Sequence, residues 1–183
     1  MASESKPIEM KTRCPEFNLK GVDGKLHNLS SYDQRQILVV GFTCNHCPYV
    51  QAYESRLIAT VSKLKDQSVA FVCINANDAK TYPDDSFDQM VERANRLQFN
   101  FDYLHDETQS VARAFNAACT PEFYVYDEKR LLRYHGRLDD SPKDPQAVKM
   151  KYLENAVLSL LGGRSPEPSQ TSAVGCSIKW RAQ

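Results

Sequence analysis

The chain has 183 residues, which is enough for one domain with a hydrophobic core. Lys and Arg together number 23, as do Asp and Glu, so the formal net charge is zero and neither nucleic acid nor an anionic membrane is an expected partner. The sequence contains no apolar run long enough to span a bilayer, and its first ten residues lack the apolar stretch of a secretory signal. We therefore expect a cytoplasmic protein, with a mature exported form that has lost its signal as the alternative.

The first third of the chain predicts a hairpin, a strand and a long helix. Residues 1–13 form a loose polar leader. Asp23-Gly24 lies between two runs in which apolar and polar residues alternate, and this dipeptide favours a hairpin turn. The continuously apolar residues 37–42 predict a central strand that is buried on both faces. Apolar residues then recur at helical spacing, which predicts a helix over about 45–65.

The rest of the chain alternates helices with short strands. In chain order the predicted elements are a strand over 69–74, a helix opened by Pro83, a short strand over 101–104, a short helix after Thr108, a hairpin of 123–126 with 131–134, and a last helix over 147–161 capped by Asp144. Strand–helix–strand units imply right-handed crossovers and parallel pairing, whereas the late hairpin adds antiparallel edge strands. The expected fold class is α/β, with a central mixed sheet flanked by helices, an N-terminal β-hairpin and a C-terminal tail.

Two of the six cysteines, Cys44 and Cys47, lie close together where the strand over 37–42 meets the long helix. The two-residue gap places both thiols within disulfide reach around the first helical turn. Cys44 is expected to face the unpaired N–H groups and the positive end of the helix dipole, which lower the pKa of a thiol. We therefore expect Cys44 to attack disulfides and Cys47, one turn further on, to resolve the mixed disulfide.

Zinc binding is an alternative function for this pair of cysteines. A single CxxC supplies only two of the four ligands of a tetrahedral zinc site. His46 lies inside the loop, and Cys176 is remote in the sequence. We expect no metal and no cofactor, and zinc binding or inert thiols remain as the alternatives.

At the CxxC motif the sequence resembles the thioredoxin superfamily, over about Cys14 to Leu161. The segment PEFNLKGVDGKLHNL is similar to the opening of AhpC/TSA-type redoxins, and the motifs FTCNHCPYV and GCSIKW look typical of a peroxiredoxin-like branch that contains CxxC. The resemblance implies a thioredoxin-like fold with a cis peptide bond at Thr120-Pro121. It also implies that the backbone of Thr120 pairs with a substrate strand beside the nucleophile.

The chain departs from typical thioredoxins beside the first cysteine. Thr43 stands where those proteins carry Trp, and residues 37–42 contain no buried acid that could take a proton from Cys47. Glu122 follows the expected cis-proline and is a candidate for the missing acid, with a surface role as the alternative.

The chain also departs from the peroxiredoxin pattern. Peroxiredoxins need a Pro and a Thr at fixed positions before the peroxidatic cysteine. With Cys47 aligned as that cysteine, these positions hold Val40 and Cys44. We therefore expect weak peroxidase activity or none.

Several further residues are candidates for supporting roles. His46 precedes the second cysteine, as in oxidising members of the superfamily, and an imidazolium there would stabilise the Cys44 thiolate; a solvent-exposed loop His is the alternative. Cys73 is expected in the core, and Cys119 is either a small buried residue or a neighbour of the active site.

The C-terminal segment is expected to fold back onto the domain. Residues 164–172 have the composition of a linker, but Val174, Cys176, Ile178 and Trp180 alternate like a strand and would bury the only Trp. The chain thus divides into a leader over 1–13, a redoxin domain over 14–162, and a linker with a docked tail over 163–183.

The leading interpretation is a thiol–disulfide oxidoreductase acting on a protein or small-molecule disulfide or dithiol. The alternatives are a thiol peroxidase that uses the same cysteines and a non-enzymatic redox-sensing or metal-binding interaction module. The expected catalytic residues are Cys44 and Cys47, supported by Thr43, His46, Thr120 and Pro121, with Cys176 as a candidate third redox thiol.

Overall fold

A seven-stranded mixed sheet lies at the centre of the computed structural model, which describes residues 2–65 and 67–182. In spatial order its strands are β3 (Leu26–Asn28), β2 (Asn18–Gly21), β6 (Asp102–His105), β5 (Val69–Asn75), β4 (Ile37–Thr43), β8 (Glu122–Tyr126) and β9 (Leu132–Gly136). The three strands β4, β5 and β6 run parallel, whereas the hairpins β2–β3 and β8–β9 are antiparallel. The predicted α/β class with a central mixed sheet is therefore confirmed.

Helices cover the sheet on both faces. They are α1 (Pro48–Leu64), α2 (Phe87–Leu97), α3 (Ser110–Ala114) and α4 (Tyr152–Leu161). The apolar sides of α1, α2 and α4 pack on one face, where Leu57, Met90 and Val157 are buried. The other face is covered by α3 and by the short 3₁₀ turn Leu29–Tyr32. Because the sheet is covered twice, all seven residues of β4 are buried, as the apolar run in the sequence predicts.

Helices α2 and α4 begin several residues later than the sequence predicts. Pro83–Asp85 is a 3₁₀ turn, and α2 starts only at Phe87. Asp144 does cap a turn, since its side chain accepts from the Gln146 amide at 2.9 Å, but that turn is also 3₁₀. The chain then extends to Lys151 because Asp140 hydrogen-bonds the backbone at 149 and 150. Hydrogen bonds to the preceding loop therefore override local helix propensity there.

A second, three-stranded sheet joins the two ends of the chain. Its order is β1 (Ala2–Glu4), β10 (Val174–Ser177) and β7 (Cys119–Thr120), all antiparallel. The expectation of a loose leader is wrong, because its residues 2–4 pair with the C-terminal strand. Met1 of the predicted leader and Gln183 of the predicted tail lie outside the described residues.

The C-terminal segment folds back onto the domain, but it buries a different side chain from the one expected. Ile178 is 3% exposed and packs in the core, whereas Trp180 remains 39% exposed with the guanidinium of Arg113 over its ring. Cation–π contact with Arg113 covers part of the indole without removing it from water.

No helix within 2–65 or 67–182 has both the length and the apolar character needed to cross a membrane.

Candidate active site

The Cys44–Cys47 segment connects the end of β4 to the start of α1. Helix α1 begins at Pro48, and Cys47 is its N-cap residue in an extended conformation. Proline disfavours helical geometry in the residue before it, and Cys47 accordingly has an extended backbone with ψ at 122° and lies outside the helix. The expectation that the helix starts near Asn45 with its end facing Cys44 is therefore wrong. The positive end of α1 faces Cys47, and Pro48 is the sequence signal that fixes this.

Both thiols of the pair are enclosed. Residues Cys44 and Cys47 are 1% and 0% exposed, so the prediction that Cys44 is the more exposed thiol is not met. Cys47 Sγ lies 2.7 Å from Cys176 Sγ, and as a thiol it donates to the Thr120 carbonyl oxygen at 3.3 Å. Cys44 Sγ lies 3.3 Å from Thr120 Oγ1. The structure thus brings Cys44, Cys47, Thr120 and Cys176 together.

The surroundings shift the pKa values of the two thiols in opposite directions. The pKa of Cys47 is lowered from 9.0 to about 5, chiefly because the Cys44 thiol donates to its thiolate, with further help from Cys176 and the Val50 amide against the opposing effect of burial. The pKa of Cys44 is raised well above 9.0 by the same hydrogen bond to Cys47, by burial and by the negative charge of Asp85. The prediction that Cys44 is the more acidic thiol is therefore wrong, since the helix end and the thiol donors all favour the Cys47 thiolate.

We expect thiolate absorbance of the reduced protein to show a midpoint near pH 5 that Cys47→Ser removes. Because the folded-state pKa lies below the ordinary value of 9.0, this thiolate stabilises the reduced fold above pH 9 and its contribution is lost as the pH falls through 5. Unfolding of the reduced protein from pH 4 to 9 should show that rise in stability. The Cys73→Ala variant, which lacks a core thiol, is the matched control and should keep the midpoint. A single transition near pH 9 in the unsubstituted protein would contradict the expectation.

Asp85 organises the loop that carries the two cysteines. This carboxylate is 0% exposed, and it accepts from the Asn45 amide at 2.5 Å and from His46 Nδ1 at 2.5 Å. It also accepts from the side-chain amides of Asn75 at 3.1 Å and Asn77 at 2.9 Å. The sequence does not indicate this role, because Pro83 and the two aspartates after it are typical of a helix start.

His46 is half-buried, so the alternative of a solvent-exposed loop His is wrong. Its ring stacks on Tyr82 with centroids 5.1 Å apart, and its Nδ1 is directed at Asp85. One donor atom each from Cys44, His46 and Asp85 lie within 4.8 Å of one another, which could hold a metal ion. The Asp85 oxygens already accept hydrogen bonds from four groups. In this structure the carboxylate therefore stabilises the cysteine loop.

The Thr120–Pro121 peptide bond is cis, and Thr120 contacts both cysteines of the pair. Thr43 ends β4 opposite Asn75 of β5 and is buried beside Cys44. The backbone edge of Thr120 is not open to a substrate strand, because Cys176 of β10 pairs with it. The expectation of a free edge at Thr120 is wrong for this state of the protein.

Glu122 is 1% exposed, so a surface role is wrong for this residue. One carboxylate oxygen accepts from Tyr124 Oη at 2.9 Å and from His135 Nε2 at 2.7 Å. The other accepts from the amides of Ala118 at 2.8 Å and Cys119 at 3.1 Å, and it lies 3.9 Å from Cys119 Sγ. The thiol that Glu122 contacts is therefore that of Cys119, and the carboxylate holds the loop before Thr120 in place.

Glu122→Gln is expected to lower the free energy of unfolding by about 1–3 kcal/mol, because the amide nitrogen turns a donor toward donors in a buried site. Urea denaturation measures the loss. Glu128→Gln, at an exposed position in the β8–β9 turn, is the matched control and should leave stability within about 0.5 kcal/mol. Equal stability of the two variants would contradict the assignment.

The thiols of Cys14, Cys73 and Cys119 are buried and pack in the interior of the protein. Cys73 and Cys119 are buried, and burial raises the pKa of both thiols. Burial also raises the pKa of Cys14 to about 12. Each of the six cysteines lies in the described part of the chain and is a free thiol, but only Cys44, Cys47 and Cys176 form the thiol cluster.

Comparison with solved structures defines the fold class. The chain is 39% identical to an uncharacterized conserved protein from Geobacillus kaustophilus, with 100% of this chain and 98% of that chain covered and a TM-score of 0.95. A hypothetical protein from Sinorhizobium meliloti is 35% identical, with 98% and 99% covered and a TM-score of 0.94. The thioredoxin domain of a thiol-disulfide oxidoreductase from Bacteroides vulgatus is 11% identical, with 69% and 86% covered and a TM-score of 0.59. The fold is therefore thioredoxin-like.

Residues 10–135 match the model of the AhpC/TSA family. Since this match spans more than half of the chain, the protein belongs to the AhpC/TSA family. No curated protein matches the sequence. Family membership and the buried thiol cluster together support a thioredoxin-like redox function.

Proposed function

We propose that the protein is a thiol–disulfide oxidoreductase in which Cys47 is the reactive thiolate and Cys44 its resolving partner. The observation that carries this is the position of Cys47, which caps α1 and contacts other thiols within a buried site. The helix end and the donating thiols stabilise negative charge on its sulfur. Disulfide exchange through a mixed disulfide needs such a thiolate with a second thiol beside it.

The lowered pKa of Cys47 also supports a direction of electron flow. A thiolate that is stable at neutral pH stabilises the reduced form, and a stabilised reduced form makes the corresponding disulfide a stronger oxidant. The protein would therefore take electrons from a protein or small-molecule dithiol. A cytoplasmic setting would require an oxidant to regenerate the disulfide, such as a low-molecular-weight disulfide.

The reduction potential of the cysteine pair tests both the activity and its direction. Equilibration with glutathione buffers, read out by alkylation and mass spectrometry, should give a value nearer to about −120 mV than to about −270 mV. Oxidation of a reduced dithiol peptide by the oxidised protein should follow. If Cys44 and Cys47 form no disulfide at any potential, the proposal is wrong. Peroxide consumption comparable with that of a dedicated peroxidase, lost in Cys47→Ser, would assign a thiol peroxidase instead.

A further inference from the structure

The edge of β7 beside Cys47 is already occupied by a strand of the same chain. Strand β10 places Cys176 opposite Thr120 and Ser177 opposite Cys119. On its other side β10 pairs with β1, where Gly175 lies opposite Ser3. Beyond the strand, the Lys179 amide donates to Asn77 Oδ1 at 2.8 Å. The strand is therefore held on both edges and at its C-terminal end.

Cys176 is the member of the thiol cluster that solvent can reach. Cys44 and Cys47 are 1% and 0% exposed, whereas Cys176 is half-buried. Its Sγ lies 2.7 Å from that of Cys47, so less than about 1 Å of movement gives the disulfide bond length of about 2.05 Å. An outside thiol would therefore reach a Cys47–Cys176 disulfide at the sulfur of Cys176.

The two sulfurs of such a disulfide differ as leaving groups. The pKa of Cys176 is raised to about 11 by burial and by its hydrogen bond to Cys47, whereas that of Cys47 is lowered to about 5. Thiol–disulfide exchange is faster when the thiolate that leaves has the lower pKa. Attack at Cys176 expels the Cys47 thiolate, so solvent access and leaving-group stability select the same sulfur.

We propose that Cys176 is the entry thiol of this site, which links the enclosed Cys44–Cys47 pair to small thiols from outside. This inference rests on the proposed disulfide exchange at that pair. In the oxidised pair, Cys176 loses its proton and attacks Cys47, because Cys47 is the sulfur that it contacts. The Cys44–Cys47 bond breaks, and Cys44 leaves and takes up a proton, as its raised pKa favours. The new Cys47–Cys176 disulfide is the form that outside thiols meet.

The exchange with the outside thiol balances in two steps. An outside thiolate bonds to the Cys176 sulfur, the Cys47–Cys176 bond breaks, and Cys47 leaves as a thiolate. A second outside thiolate attacks the outer sulfur of the mixed disulfide, which releases the outside disulfide and leaves Cys176 to recover a proton. Two outside thiols are oxidised, and the protein disulfide gains two electrons.

Peptide mapping of the full chain with Cys44→Ser tests the position of attack. This variant, oxidised with diamide, should give a disulfide between the tryptic peptides 36–56, which holds Cys47, and 165–179, which holds Cys176. A brief pulse of glutathione followed by acid quenching should place glutathione on 165–179 at least about tenfold more often than on 36–56. Failure of the link to form, or glutathione found mainly on Cys47, would overturn the proposal.

Glycine substitutions test whether the seating of β10 brings the two thiols together. A Cβ on Gly175 would lie 2.0 Å from the Thr120 carbonyl oxygen, so Gly175→Ala must push the strand off this edge. A Cβ on Gly162 would meet nothing closer than 3.5 Å, which makes Gly162→Ala the matched control. In the Cys44→Ser background, Gly175→Ala should lower the yield of the link at least about tenfold, and the control should not. Equal yields would contradict the proposal.

The wild-type chain separates this inference from the proposed function. If Cys176 plays no part, oxidation closes only the Cys44–Cys47 disulfide inside peptide 36–56, and glutathione appears on that peptide while dithiol oxidation continues. That result would overturn the role of Cys176 and leave the proposed function intact. If no disulfide involving Cys47 forms at all, the proposed function itself is wrong.

Discussion

Replacing Cys47 with serine is expected to lower the rate of dithiol oxidation by about 1,000-fold or more, because a hydroxyl cannot form the Cys44–Cys47 disulfide that accepts the electrons. The Cys47 sulfur is the one that the helix end and the neighbouring thiols stabilise as a thiolate. Oxidation of a dithiol peptide measures the loss. Circular dichroism and thermal unfolding show whether the variant keeps its fold.

Two further variants make this expectation specific. Cys44→Ser removes the resolving thiol, so it should retain the first exchange step but no longer close the Cys44–Cys47 disulfide, and a mixed disulfide on Cys47 should pass to Cys176. Cys73→Ala removes a thiol that is buried in β5 and should retain nearly full activity. A Cys47→Ser variant that keeps more than about a tenth of the wild-type rate would transfer the role of nucleophile to another cysteine.

The sheet could be predicted from the sequence because its signals are local. The apolar run 37–42 and the turn dipeptide Asp23-Gly24 lie within a few residues of the structure they determine, and β4 and the β2–β3 hairpin form there. The pairing of β1 with β10 joins residues that are more than 160 positions apart. Nothing in the polar residues 1–13 indicates that they pair with β10, so the sequence of this segment by itself predicts no regular structure.

The pKa values of the two thiols differ in the opposite sense from the sequence-based prediction for a related reason. The CxxC motif places both cysteines at the junction of β4 and α1, but which thiol the helix end faces depends on one residue, Pro48. Proline also disfavours helical geometry at Cys47. The sequence contains this signal, but the helical spacing of the apolar residues does not show where the helix begins. The third thiol, Cys176, comes beside Cys47 only through the tertiary pairing of β10 with β7.

Asp85 illustrates a functional residue that periodicity cannot reveal. Its neighbours Pro83 and Asp84 have the composition of a helix start, and an acidic residue in a first turn needs no further explanation. Only the fold shows that the side chain turns inward, toward the loop of Asn45 and His46, about 40 positions earlier in the chain.

Replacing Asp85 with alanine is expected to lower the free energy of unfolding by about 3–5 kcal/mol, because it leaves several buried donors without an acceptor. Those donors are the Asn45 amide, His46 Nδ1 and the side-chain amides of Asn75 and Asn77. The loss also releases the loop that positions Cys44, so disulfide exchange should fall by about tenfold or more even under conditions where the variant is folded.

Asp84→Ala is the matched control, since it removes the adjacent carboxylate from an exposed position. It should change the free energy of unfolding by less than about 0.5 kcal/mol and leave exchange unchanged, because the contact of Asp84 with Asn45 is made by its backbone carbonyl, which the substitution keeps. Urea denaturation of both variants, followed by exchange assays on the folded proteins, separates the two positions. Asp85→Asn refines the result, since an amide can accept from some of the four donors but clashes with the others, and its stability should lie between those of the wild type and Asp85→Ala. If Asp85→Ala is as stable and as active as Asp84→Ala, the carboxylate is not what holds the cysteine loop.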